Sequence, residues 1–252
     1  MTSVSCNFLT PEQSLKGSIQ ERIDCAVDSL LASLPPVDRL SSNERRGLIA
    51  RYTAVLEGNF IYWMTGAYLS VKSDLARSII LENLHEEVRD CHPGMLRRFA
   101  TAAHAVPTDT DAFAVSRSLS NVRLFIGRLS PVPIVLMMAF FEGFIQRFMA
   151  YLADLARLEG SVEQEYTDVH GVCDVAHTQG LLRALETEMS LADDSREPAT
   201  NLFEGVELLQ SLIRDIFVEP ELAKVRQLTN MSHIVSRSET FDAVTGNRGT
   251  QL

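Results

Sequence analysis

The sequence predicts an all-α protein, a bundle of seven or eight helices. Three observations lead to this fold class. The chain of 252 residues has helical character throughout, no strand-like alternation is sustained, and no Asn-Gly or Asp-Gly hairpin turn joins two apolar runs. Apolar residues make up 46% of the chain, which is ample for a core. Short connections between long helices then favour one bundle over several small domains.

Caps and prolines delimit the first four helices. A cap-like TPEQ segment opens the first, and the Pro35-Pro36 pair closes it. SSNE opens the second, and Asp74 opens the third. The third stops before His92, because Pro93 biases the residue before it away from helical dihedral angles. The predicted ranges are about 11–34, 41–72, 74–90 and 93–105.

The fifth to eighth helices follow turn signals in the same way. A PTDTD turn precedes the fifth, Ser130-Pro131 opens the sixth, and Gly160 ends it. The segment DDSREPAT is a loop before the eighth. The predicted ranges are about 109–128, 131–158, 161–191 and 200–217. Periodicity is lost near the end, so we expect one domain over 1–220 and a mobile tail over 221–252.

Composition narrows the class of protein. The net charge is −10 and no Lys/Arg cluster occurs, which argues against a nucleic-acid partner. The N-terminus lacks the features of a signal peptide, and the longest apolar run, 133–141, is about half of a membrane span. The four cysteines form no CxxC motif and are interpreted as reduced thiols. We therefore expect a soluble cytoplasmic protein without a membrane partner, by default a homodimer.

Two histidines and an acid share one stripe of the seventh helix. His170, Asp174 and His177 stand at i, i+4 and i+7, which lie on the same helical face. This stripe is either a solvated polar face or a set of metal ligands. In a third interpretation Asp174 is not a ligand but orients the imidazoles by accepting a hydrogen bond from them, as carboxylates often do around metals.

Glu142 is an acid inside the most apolar helix, in the run AFFEGF. A buried, unpaired carboxylate costs several kcal/mol or stays protonated. Either Glu142 lies on an exposed stripe beside Gln146, or a cation compensates it.

The end of the third helix, ENLHEEVRDCH, adds further donors. Most of its acids must face solvent, but Glu87 and His92 are separated by a helix end, so His92 could fold back towards the same centre. Combined with the two other segments, they give a mixed nitrogen and oxygen set. Such a set suits iron or manganese, and two ions better than one, in a site built between the helices of a bundle.

These residues resemble the haem-oxygenase-like di-iron oxidases, which have an up-down helical bundle. The resemblance covers about 40–190 and has three parts: an Asn-Leu-x-x-Glu helix followed by a turn and His, a lone Glu in an apolar helix, and a final His-x3-Asp-x2-His. The turn before His92 is short, which keeps Glu86 as an alternative to Glu87, and Glu57 is a candidate extra carboxylate. The six ligands that the resemblance implies are Glu87, His92, Glu142, His170, Asp174 and His177.

The resemblance also implies an activity. Two Fe²⁺ ions would activate O2, with an external reductant possible, to oxidise a small molecule such as an amino acid or a fatty acid. N-oxygenation or oxidative C–C or C–N cleavage in a biosynthetic step is expected, without haem, because the first helix has no histidine to ligate it. The alternatives are a fatty-acid oxidative decarboxylase, a metal-free cofactorless oxidase, a thiaminase-type hydrolase using Cys173, and a non-enzymatic interaction module.

An amino acid or its derivative is the leading substrate class. Glu57 and Asn59 could hold an ammonium group, and an arginine such as Arg51 or Arg98 could hold a carboxylate through two hydrogen bonds. The residues predicted to bind substrate are Arg51, Tyr52, Glu57, Phe60 and Phe141.

Overall fold

Eight α-helices and one 3-10 turn, Val37–Arg39, form the part of the chain that this computed structural model describes, residues 19–191 and 201–218. That part contains no strand, so the all-α prediction is confirmed. The start of the first predicted helix and the predicted tail lie outside the described residues. The helices are α1 (Ile19–Ala32), α2 (Ser42–Ser70), α3 (Asp74–Arg89), α4 (His92–Ala102), α5 (Asp109–Ile126), α6 (Pro131–Leu158), α7 (Glu165–Leu191) and α8 (Glu204–Phe217).

Helix α6 forms the centre of the bundle. Every residue from Pro133 to Glu142 is buried, since α1, α2, α7 and α8 all pack around this helix. It is long and apolar enough to cross a membrane by composition, yet 83% of its most apolar window is buried inside the fold. An apolar helix enclosed on all sides in this way is a core helix. Glu142 is carried into the interior with it.

Helix α2 is interrupted in its middle, which the sequence analysis did not foresee. Glu57 (φ −58°, ψ 54°) and Gly58 (φ 132°, ψ −18°) leave the helical region, and glycine tolerates this φ because it lacks a Cβ atom. The Val55 carbonyl accepts a hydrogen bond from the side-chain amide of Asn59 at 2.7 Å. Arg123 of α5 donates to the Asn59 side-chain oxygen at 2.9 Å. Two side chains thus stabilise the interruption.

The corner between α3 and α4 is two residues long. Asp90 caps α3, and Cys91 adopts the left-handed conformation (φ 57°, ψ 44°). His92 is already the first residue of α4, one position earlier than predicted, because a proline in the first turn of a helix removes no hydrogen bond. The tight corner turns His92 back towards Glu87.

The cysteines differ in state. Cys91 and Cys173 are free thiols, whereas Cys25 is disulfide-bonded. The expectation of four reduced thiols is therefore wrong for Cys25, and the argument from reduced cysteines to the cytoplasm does not extend to it.

Candidate metal centre

The polar stripe of α7 faces the interior. His170, Asp174 and His177 are 5%, 1% and 6% exposed, and α7 packs against α6 on one side and α3 on the other. The interpretation of this stripe as a solvated face is therefore excluded. These side chains meet the acids of the two neighbouring helices.

Glu87, His92 and His170 form the first group. One potential ligand atom from each lies within 4.8 Å of the others, and all three residues are buried. His92 Nδ1 is 2.7 Å and His170 Nε2 is 3.7 Å from Glu87 Oε1. His170 Nδ1 lies 2.8 Å from the Tyr166 carbonyl and donates a hydrogen bond to it, which leaves the Nε2 lone pair directed at the group.

Glu142, Asp174 and His177 form the second group, again with ligand atoms within 4.8 Å of one another. His177 Nδ1 is 3.8 Å from Glu142 Oε1 and 3.6 Å from Asp174 Oδ1. Three atoms of this group are buried without a hydrogen-bond partner among the described residues: Glu142 Oε1, Asp174 Oδ2 and His177 Nδ1. Buried polar atoms are almost always hydrogen-bonded. Three unpaired atoms in one group therefore indicate a binding site for an ion or a ligand.

Glu86 and Glu87 have different positions. Glu86 Oε2 accepts a hydrogen bond from His177 Nε2 at 2.8 Å, so the lone pair of a neutral imidazole lies on Nδ1, towards the second group. Glu86 belongs to neither group, whereas Glu87 belongs to the first. A carboxylate behind a ligating imidazole fixes its orientation and its tautomer.

The charges of the two groups also fit a cation. Burial, and then the charge of Asp174, raise the pKa of Glu142 well above its ordinary value. The pKa of Asp174 is also raised well above its ordinary value, first by burial and then by the negative charge of Glu87. Burial would raise the pKa of Glu87 too, but the imidazoles of His170 and His92 outweigh it and hold that pKa below its usual range.

A cation between Glu142 and Asp174 would relieve both desolvation and repulsion. Buried carboxylates are normally paired or bound to metals, and hard oxygen donors mixed with imidazoles suit iron or manganese. The residues present therefore fit two metal ions, one in each group.

The raised pKa values of Glu142 and Asp174 predict that the stability which these two groups contribute to the metal-free protein is lost as the pH rises above the ordinary carboxyl range of about 4. The raised pKa values of Glu142 and Asp174 mean that the folded state binds more protons than the unfolded state. Their contribution is present below the unfolded pKa and is lost as the pH passes through the folded pKa.

Urea unfolding at several pH values checks this prediction against the double variant Glu142→Gln/Asp174→Asn. The free energy of unfolding of the wild type should fall progressively below that of the variant as the pH rises, and Mn²⁺ should reverse the difference. Parallel pH profiles for the two proteins would contradict it.

A cavity of about 390 Å³, counting the space at its open mouth, adjoins the metal centre. Five of the six predicted ligands line it, all except His177. The predicted substrate residues Phe60 and Phe141 also line it, with their ring centroids 5.7 Å apart. The rest of the wall is mostly apolar: Leu56, Ile61, Pro93, Leu96, Ile145 and Tyr166.

A second cavity of about 300 Å³ lies towards α8 and shares Leu56 and Phe141 with the first. The predicted substrate residue Tyr52 lines this second cavity, and its hydroxyl is 2.9 Å from that of Tyr166. The other lining residues are all apolar: Val55, Phe144, Phe148, Leu212, Ile213, Ile216 and Phe217.

Each of the polar residues predicted to bind substrate makes a hydrogen bond or an ion pair within the protein. Arg51 is buried and donates to the Ile216 carbonyl at 2.7 Å, outside the cavity lining. Asn59 stabilises the interruption of α2, and Arg98 forms an ion pair with Glu165. Glu57 forms an ion pair with Arg97 of α4.

Sequence reasoning missed Arg97 and Tyr166. The carbonyl of Tyr166 holds His170, and its position one turn before His170 is a signal that could have indicated this contact. No comparable sequence signal marks Arg97, because its ion-pair partner Glu57 lies on another helix, 40 residues away along the chain.

Comparison with known proteins agrees with this donor set. A family model described as iron-containing redox enzyme matches residues 49–209, a range that contains both groups of donors. No curated protein matches the chain.

Proposed function

Because this chain belongs to the family of iron-containing redox enzymes, within the haem-oxygenase-like superfamily, we propose that it is an O2-dependent, non-haem di-iron oxidoreductase. One observation carries the proposal: two adjoining, buried groups of three nitrogen and oxygen donors, of which the second has three orphaned atoms. A single metal ion would leave one of the two groups uncompensated.

Each group would hold one iron. Glu87, His92 and His170 would form one site, and Glu142, Asp174 and His177 the other. When bound, two ferrous ions would supply the electrons needed to reduce O2, a redox chemistry that no side chain of the centre provides.

The surrounding residues orient the donors and exclude water. The Tyr166 carbonyl and Glu86 each accept a hydrogen bond from the outer nitrogen of a histidine, so both imidazoles present their other nitrogen to the centre. The apolar wall around Phe60 and Phe141 keeps bulk water from the reacting atoms. A small organic molecule therefore meets the centre in a mostly dry cavity.

An amino acid or its derivative is the proposed substrate, oxidised by N-oxygenation or by C–C or C–N cleavage in a biosynthetic step. An ion pair of Glu57 and Arg97 joins α2 to α4, the helices that contribute Leu56 and Leu96 to the cavity wall, and its two charges match those of an amino acid. A cytoplasmic homodimer is the proposed setting.

Fatty-acid oxidative decarboxylation is the second candidate. The observation that favours it is the second cavity, whose lining is apolar apart from the hydroxyl of Tyr52 and which shares two residues with the first. A thiaminase-type hydrolase is less well supported, because burial and the charge of Asp174 raise the pKa of the Cys173 thiol and so reduce its thiolate fraction.

Anaerobic Fe²⁺ titration of the metal-free protein tests the proposal. We expect two ions to bind per chain, and O2 to be consumed with oxidation of the iron when air is admitted. Candidate amino acids and fatty acids are then screened by mass spectrometry with Fe²⁺, O2 and a reductant. Binding of fewer than two ions, or equal binding by a His170→Ala/His177→Ala variant, would overturn the di-iron assignment.

A further inference from the structure

We propose that the second cavity, whose lining comes from α2, α6 and α8, binds dioxygen and delivers it to the metal centre. The ligand of this site is a small apolar gas molecule, whereas the organic substrate meets the centre in the first cavity. The inference rests on the proposed function, because the dioxygen would be consumed at the metal centre.

The lining of the second cavity offers no free polar group to a ligand. Nine of its ten residues have hydrocarbon side chains, and the hydroxyl of the tenth, Tyr52, is hydrogen-bonded to that of Tyr166 at 2.9 Å. A buried water molecule needs about two to four polar partners, so water is a poor occupant of this space. Apolar cavities stay dry and take up xenon or benzene instead, because the transfer of an apolar molecule out of water is favourable.

The room inside the second cavity suits a molecule of very few atoms. Most of its volume of about 300 Å³ lies too close to the walls to be occupied, and the remainder has room for about one small molecule. Aromatic rings make it narrow: the ring centroids of Phe144 and Phe148 are 5.1 Å apart, and those of Tyr52 and Phe148 are 5.5 Å apart. An alkyl chain would have to displace these rings, whereas a diatomic gas would not.

A thin wall separates the second cavity from the cavity beside the metal centre. Leu56 and Phe141 belong to both linings, and the hydrogen-bonded pair Tyr52 and Tyr166 contributes one residue to each. None of these four side chains is charged, and Phe141 directly precedes the metal donor Glu142 on α6. Because buried side chains exchange rotamers even in a close-packed core, a gas molecule can pass this wall to reach the centre.

The second cavity gives dioxygen a route that does not pass through the first. Phe217, the last residue of α8, is half-buried, whereas the other nine lining residues are buried. The six donors of the metal centre lie on α3, α4, α6 and α7, so this half-buried end is on a helix that takes no part in the centre. A substrate that fills the first cavity therefore leaves the path of the gas open.

Nuclear magnetic resonance of the metal-free full chain, isotope-labelled in its methyl groups, tests the site with O2 itself as the probe. O2 is paramagnetic, and its effect on relaxation falls steeply with distance, so methyl groups that line an occupied cavity broaden selectively. The signals of Val55, Leu212 and Ile213 should broaden under O2 and not under N2. Ile80 and Leu185 are as deeply buried but line neither cavity, and their signals, the matched controls, should broaden much less.

Variants that fill the cavity test delivery to the metal centre. Ile213→Phe should abolish the selective broadening at Val55 and Leu212. In the Fe²⁺-loaded chain it should lower the rate of iron oxidation at limiting O2 by about tenfold, and the deficit should shrink as the O2 concentration is raised. Leu208→Phe, at a half-buried position of α8, is the matched control and should change neither readout. Val55→Leu is a smaller enlargement that gives the same test if Ile213→Phe does not fold.

Three outcomes would overturn the inference. The lining methyl groups broaden no more than the controls, or a filled cavity leaves the dependence of iron oxidation on O2 as in the wild type. In the third, decanoate shifts the same methyl signals, which would assign the cavity to an alkyl chain. The number of Fe²⁺ ions bound per chain tests the di-iron assignment separately. Because the broadening is measured without metal, failure of that assignment and failure of the gas site are distinguishable.

Discussion

Replacing Glu142 with glutamine is expected to remove one of the two iron ions and to lower O2-dependent turnover by at least about 100-fold, as expected for loss of a metal ligand. The metal-free protein should remain folded and at least as stable. Glu142 has an orphaned oxygen at the centre of the most apolar helix, and burial together with Asp174 raises its pKa. A neutral amide of the same shape removes the repulsion but cannot supply an anionic ligand.

Iron content after anaerobic loading and thermal unfolding without metal measure the two parts of this expectation. Gln146→Ala, one turn further along α6, is the control and should keep both iron ions. If Glu142→Gln binds two ions with wild-type affinity, the second group is not a metal site. If the metal-free variant unfolds at a markedly lower temperature than the wild type, Glu142 has a structural partner that the geometry does not show.

The neighbours Glu86 and Glu87 are expected to respond differently to the same substitution. Glu87→Gln should abolish iron binding in the first group, because the carboxylate that joins His92 and His170 is lost. Glu86→Gln should weaken metal binding at His177 by about 10- to 100-fold without abolishing it, since an orienting partner is lost and not a ligand.

Fe²⁺ titration of both variants, with His85→Ala as a control on the same helix, checks this difference. The reverse order, with Glu86→Gln losing an ion and Glu87→Gln only weakened, would make Glu86 the ligand. The stability of the metal-free Glu87→Gln protein is a further readout, because the Glu87 carboxylate accepts a buried hydrogen bond from His92.

Most helix boundaries could be predicted from local chemistry. The capping box in which Ser41 and Glu44 bond each other's main chain begins α2 at the expected place, and the Ser130-Pro131 start of α6 also agrees. Such signals act within one turn, so one sequence is enough to interpret them. The interruption at Glu57 and Gly58 could not be predicted, because it depends on a hydrogen bond from Arg123, 64 residues from Asn59.

The sequence by itself determined that this protein is helical, that α6 lies in the core, and that three donors of α7 share one stripe. Periodicity fixes which residues lie on the same face of a helix. Only the tertiary structure decided that the stripe faces inwards, that Glu87 joins the first group while Glu86 supports His177, and that Arg97 meets Glu57. Those outcomes depend on which helices become neighbours and on how far each helix is shifted along its axis relative to the next. Both are set by the packing of the whole core.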